Sequence, residues 1–173
     1  MKVCLDTNVL VAAFATRGLC ADLLRTVVTK HELVIGEVIL TELRRVLKTK
    51  FKVPDAQLRA VEAALAQYPV VPKPTAPTTI ELRDPSDRWI IATAVDGEAD
   101  VLVTGDQDLL TARAAAPLPI VDPREFWELL RRGSKGRCVS GRTRRRAPSQ
   151  TASQLTRTTH PHRSGSPRRR TPD

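Results

Sequence analysis

Cysteine is scarce in this chain, and what there is does not pair. The 173 residues hold three, Cys4, Cys20 and Cys138, an odd number with no C-x-x-C spacing. That argues against a disulfide framework and against a structural zinc site, and fits a reducing compartment. Long apolar runs are missing too. No stretch of about 18 apolar residues occurs, and the chain opens on a strand pattern with no apolar h-region, so neither a membrane span nor a signal peptide is expected. A soluble, cytoplasmic protein with no membrane partner is the expectation.

Acidic residues almost vanish after position 130. Residues 1–130 carry 15 Lys and Arg against 18 Asp and Glu, whereas residues 131–173 carry 13 against 1. The excess of positive charge therefore belongs to the C-terminal segment. That segment also lacks large apolar residues and holds two RRR runs, so it cannot bury enough surface to offset chain entropy. The expected organisation is one α/β domain over residues 1–130, followed by a disordered Arg-rich tail over 131–173. The tail would attract polyanions such as RNA, or serve only to raise solubility.

What the domain does contain is a regular alternation of apolar runs and amphipathic segments. "KVCL" and "ELVIG" read as buried strands, "VVP" as a short one, and "ADVLVTGD" and "LPIV" as two more. Between them lie helical patterns: one starting at "VLVAAF", one over Cys20–Lys30, one on which Ile39, Leu43, Val46 and Leu47 recur at helical spacing, one over Asp55–Tyr68, and "DPSDRWIIATAVDG". Pro123 is placed to start a terminal helix in "PREFWELL". Strands alternating with helices imply a parallel sheet covered on both faces, with ligands at the carboxyl ends of the strands.

Carboxylates gather at those ends. Asp6 follows the first strand and Asp106 follows "VLVTG", and each could equally be a turn or cap residue. Of Asp106 and Asp108, one can cap while the other faces the cleft. Glu42 lies at the edge of its helix's apolar stripe, about 60° from the centre. In "RDPSD", Asp84 matches an N-cap before Pro85, which leaves Asp87 as the ligand candidate in the first turn.

Four carboxylates aimed at one crevice repel one another and raise one another's pKa unless a cation is present. Hard oxygen donors without clustered Cys or His select Mg²⁺ or Mn²⁺ over Zn²⁺. His31 is isolated, and His160 and His162 lie in the tail. Such a site suits phosphodiester hydrolysis, which then needs no nucleophilic side chain.

In their order and spacing, "VCLDTNVLVAAF", "VILTELRRVL", "DPSDRWIIATA" and "ADVLVTGDQDLL" resemble the PIN-domain family of ribonucleases, especially its bacterial toxin-like, VapC-like branch. The resemblance covers about residues 1–130. It implies a three-layer α/β/α fold around a five-stranded parallel sheet of order 3-2-1-4-5. It also implies a Mg²⁺- or Mn²⁺-dependent endoribonuclease whose catalytic and metal-binding set is Asp6, Glu42, Asp87 and Asp106. Asn8 and Thr104 would support Asp6 and Asp106 by hydrogen bonds. A cognate antitoxin and a homodimer are implied as partners. Because an acidic centre repels phosphate, RNA would be held at the rim by Arg44, Arg45, Lys48, Arg83 and Arg88.

Two other readings are available. A haloacid-dehalogenase-type phosphatase requires D-x-D after the first strand, and Asn8 stands at that second position. A non-catalytic RNA- or partner-binding module would use the same acids only as caps.

Overall fold

Three apolar residues in a row, Val3, Cys4 and Leu5, are fully buried in the first strand. Successive strand residues point to opposite faces, so burial of all three requires cover on both sides of the sheet. The same holds for Val101, Leu102 and Val103. The computed structural model describes residues 1–135, and in it these runs are the central strands β1 (Lys2–Leu5) and β4 (Val101–Val103). With β2 (Glu32–Gly36), β3 (Val70–Val71) and β5 (Ile120–Val121), they form a five-stranded sheet of order β3-β2-β1-β4-β5, every pair parallel. This is the expected strand order.

The helices are α1 (Thr7–Ala15), α2 (Leu19–Lys30), α3 (Glu37–Thr49), α4 (Asp55–Leu65), α5 (Asp87–Asp96), α6 (Gln107–Thr111) and α7 (Pro123–Lys135), with a 3₁₀ turn at Ala112–Ala114. α3 buries Ile39, Leu43, Val46 and Leu47, the stripe that its 3.6-residue periodicity marks. α7 is started by a reciprocal cap. Asp122 Oδ1 accepts from the Arg124 and Glu125 amides at 2.7 and 2.8 Å, and Glu125 Oε2 accepts from the Asp122 amide at 3.0 Å. This helix runs to Lys135, into the segment expected to be tail; the rest of that segment lies outside the described residues.

Two boundaries move. α4 ends at Leu65 rather than Tyr68, since a proline at 69 disfavours helical backbone in the residue before it. α5 begins at Asp87 rather than beside Asp84. Gly36 closes β2 where α5 comes closest: a Cβ built there would meet Thr93 Cγ2 at 2.1 Å. Only glycine permits that approach.

Chain order and strand order together set the position of the site. From β1 the chain builds outward through β2 and β3, then crosses back to place β4 on the other side of β1. The reversal lies between β1 and β4, and the crevice at their carboxyl ends is where doubly wound sheets bind ligands.

Candidate active site

Register brings the first two carboxylates together. Leu5 pairs with Val103, and the Asp6 amide continues the ladder by donating to the Val103 carbonyl at 3.0 Å. Thr104 therefore stands beside Asp6. Its hydroxyl donates to Asp6 Oδ2 at 2.7 Å and accepts from the Asp106 amide at 2.9 Å. One fully buried threonine thus ties the end of β1 to the loop after β4.

Asp6 itself is 1% exposed. Its other oxygen, Oδ1, is buried with no hydrogen-bond partner, a costly state for a carboxylate. From α3 comes Glu42, half-buried, with Oε2 accepting from the Thr7 hydroxyl at 3.1 Å and Oε1 3.4 Å from Arg45. Asp87 opens α5. Its carboxylate, with those of Asp106 and Asp108, places one oxygen from each residue within 4.8 Å of the others. Asp106 also caps α6, its Oδ1 accepting from the Asp108 amide at 2.8 Å. Asp108 is paired with Arg83 at 3.1 Å.

The charges feel one another. Burial raises the Asp6 carboxyl to about 6, against the Thr104 hydrogen bond and the nearby Thr7 amide, with Glu42 and Asp106 pushing it further up. Asp87 is raised to about 7, first by burial and then by Asp106, Asp84, Asp6 and Glu42. The close oxygen cluster is thus Asp87, Asp106 and Asp108, while Asp6, Glu42 and Asp84 add to its field from outside it. A hard divalent cation fits this set: the donors are oxygens, neither Cys nor His joins them, and one buried oxygen of Asp6 has no hydrogen-bond partner.

Two expected roles are corrected. Asn8 is exposed and makes no hydrogen bond to Asp6. It is the second residue of α1, where helical rotation carries its side chain away from the cap, and Thr7 makes the link to Glu42 instead. Asp84 does not cap α5. Its Oδ1 accepts from the Ser86 amide at 2.8 Å, a local turn that ends before the helix starts at Asp87.

The basic residues divide. Arg44 pairs with Glu62 at 2.6 Å and Lys48 with Asp55 at 3.5 Å, both on α4. Arg45 and Arg83 lie at the acidic cluster through Glu42 and Asp108. Arg88 is half-buried, its Nε without a partner. Sequence reasoning passed over Thr7 and did not assign Asp108 to the cluster. The signal for both was adjacency, in "DTN" and "GDQD".

A PIN domain profile matches residues 2–108. Among solved structures, VapBC2 from Rickettsia felis, crystallised with a DNA fragment from its promoter, is similar at 21% identity with a TM-score of 0.52, over 70% of this chain and 98% of that one. VapBC-1 from nontypeable Haemophilus influenzae is similar at 19% identity with a TM-score of 0.49, over 72% and 99%. No curated protein matches.

Proposed function

The chain belongs to the PIN-domain family, and from that premise we propose that it is a metal-dependent endoribonuclease that hydrolyses RNA phosphodiester bonds. The observation that carries this reading is the buried Asp6 with an unpartnered oxygen, set among Glu42, Asp87 and Asp106 at the strand-order reversal. Caps and turns account for one oxygen of Asp106 and for Asp84. They do not account for Asp6, which the fold buries with one oxygen held by Thr104 and the other without a partner.

A bound Mg²⁺ or Mn²⁺ would supply Lewis acidity and a water of lowered pKa. Asp6, Glu42, Asp87 and Asp106 would hold it, with Asp108 a further oxygen donor that Arg83 now occupies. Thr104 fixes the Asp6 carboxylate and the Asp106 backbone at once, and Thr7 fixes Glu42. These hydrogen bonds hold donors from three separate elements in one geometry. With a cation nearby, Asp6 and Asp87 remain ionised at neutral pH, where without one each holds its proton more tightly than an ordinary carboxyl. Arg45 and Arg83 at the rim offset the repulsion between acids and RNA phosphates.

VapBC2 from Rickettsia felis shares this fold, and we extend the proposal to a toxin–antitoxin pair. The chain acts in the cytoplasm as the toxin of such a pair, forms a homodimer and is restrained by a cognate antitoxin. The test is cleavage of defined RNAs by the purified chain with and without Mn²⁺ or Mg²⁺. Glu42→Gln and Asp87→Asn should fold and not cleave. If both cleave like wild type, Glu42 and Asp87 are not catalytic; if the wild-type chain itself cleaves no RNA with either metal, the acids are caps and the chain is a non-catalytic binding module.

A further inference from the structure

Trp89 is the aromatic residue of α5 that the core does not use. Trp127 packs on the core cluster, whereas Trp89, half-buried, is not among the residues packed there. It lines an open groove of about 680 Å³, together with Val38, Thr41, Arg45, Lys73 and Pro85. The groove adjoins the acidic site: Glu42 forms part of its wall, and Pro85 also borders the cleft of Asp87, Asp106 and Asp108.

We propose that this groove is a nucleobase subsite, in which a base of single-stranded RNA next to the scissile phosphate stacks on Trp89. The proposal rests on the ribonuclease reading for its substrate, and the groove's own chemistry narrows that substrate. Its volume is in the range of small-molecule sites. Its charged groups balance, Arg45 and Lys73 against Glu37 and Glu42, so it favours a neutral ring over a phosphate. Thr41 lines it as well, and its hydroxyl, which donates to the Glu37 carbonyl at 2.7 Å, keeps an acceptor for a base edge.

Lys73 marks the stacking face. Its ammonium lies 4.6 Å from the centroid of the Trp89 ring, while its backbone amide is tied to Glu37 Oε2 at 3.0 Å. The backbone is anchored and the side chain is not. An ammonium over a half-buried ring that opens on solvent is held more weakly than a stacked base. An incoming base therefore takes the ring, and the displaced ammonium stays close enough to meet a phosphate of the same strand. Duplex RNA cannot use the subsite, because its bases are already stacked on each other.

The experiment uses the full chain carrying Trp127→Phe, so that Trp emission reports position 89 alone, with short single-stranded RNA and a duplex of the same length as probes. Saturable quenching by the single strand but not by the duplex is expected. In cleavage assays Trp89→Leu should lose about 5- to 100-fold in kcat/KM. Trp89→Phe should recover most of that, and the metal-induced rise in melting temperature should be the same in both variants as in wild type. Wild-type cleavage with no quenching, or Trp89→Leu cleaving like wild type, overturns the subsite and leaves the ribonuclease reading standing. Quenching without any cleavage overturns the ribonuclease reading and leaves the subsite.

Discussion

Replacing Asp6 by Asn should stabilise the metal-free protein and abolish its response to metal. The wild-type carboxyl titrates at about 6 because burial outweighs its hydrogen bonds, while in the unfolded chain it titrates near 3.9. The folded state therefore holds its proton to higher pH than the unfolded state, and stability falls as pH rises between those two values. At about 1.4 kcal/mol per pKa unit, the ionised Asp6 costs the metal-free fold at most roughly 3 kcal/mol above pH ~6. Asn keeps an acceptor for the Thr104 hydroxyl and replaces the unpartnered oxygen with an amide that the neighbouring acids can accept from. In EDTA at about pH 8, Asp6→Asn should thus melt higher than wild type, by ~3–10 °C. Near pH 4 the two should converge. Mn²⁺ at about 1,000 times its Kd should reverse the ranking, since it then adds about 4.1 kcal/mol to the state that binds it. Calorimetry of both proteins across pH, with and without metal, measures all three quantities. Parallel pH profiles in EDTA, or an equal rise with Mn²⁺ in both proteins, would refute the claim that Asp6 is a buried metal ligand.

Thr104→Val removes the hydroxyl that serves both Asp6 and Asp106. Metal affinity, read by isothermal titration, should fall by about 10- to 100-fold, with the far-ultraviolet spectrum unchanged. Gly36→Ala drives a methyl into Thr93 and should cost about 1–3 kcal/mol in denaturant unfolding. Adding Thr93→Ser, which deletes the clashing Cγ2, should restore most of it, and a purely additive double mutant would disprove the contact. Arg45→Ala should lower the salt dependence of RNA binding by about one phosphate contact, whereas Arg44→Ala and Lys48→Ala, whose side chains serve α4, should leave it unchanged. Equal effects from all three would return Arg44 and Lys48 to the RNA-binding rim.

Some of the site was legible because its residues carry their own positional signal. An aspartate just after a buried strand lies at the sheet's carboxyl edge, which located Asp6 directly after β1 and Asp106 three residues after the end of β4. The apolar stripe of α3 located Glu42 at its margin. Asn8 misled because adjacency in sequence is not adjacency in space: one step into a helix turns the side chain by about 100°. Asp84 misled because a proline two residues before a helix suits either a cap or a preceding turn, and the Ser86 amide took the carboxylate first. Lys73 carried no signal. It opens a proline-rich link, and only the folding of that link over α5 sets it on Trp89.

The sequence by itself determined the alternation of strand and helix and the burial of both sheet faces, because periodicity and apolar run length are local properties. It also determined that the positive charge lies after residue 130. Tertiary structure alone decided which carboxylates share a field, which hydroxyls hold them and which arginines are bound elsewhere. Those outcomes depend on strand order and on register across β1 and β4, where residues 98 apart in the chain meet at 2.7 Å. A one-residue slip in that pairing would turn Thr104 to the other face and leave Asp6 without its partner.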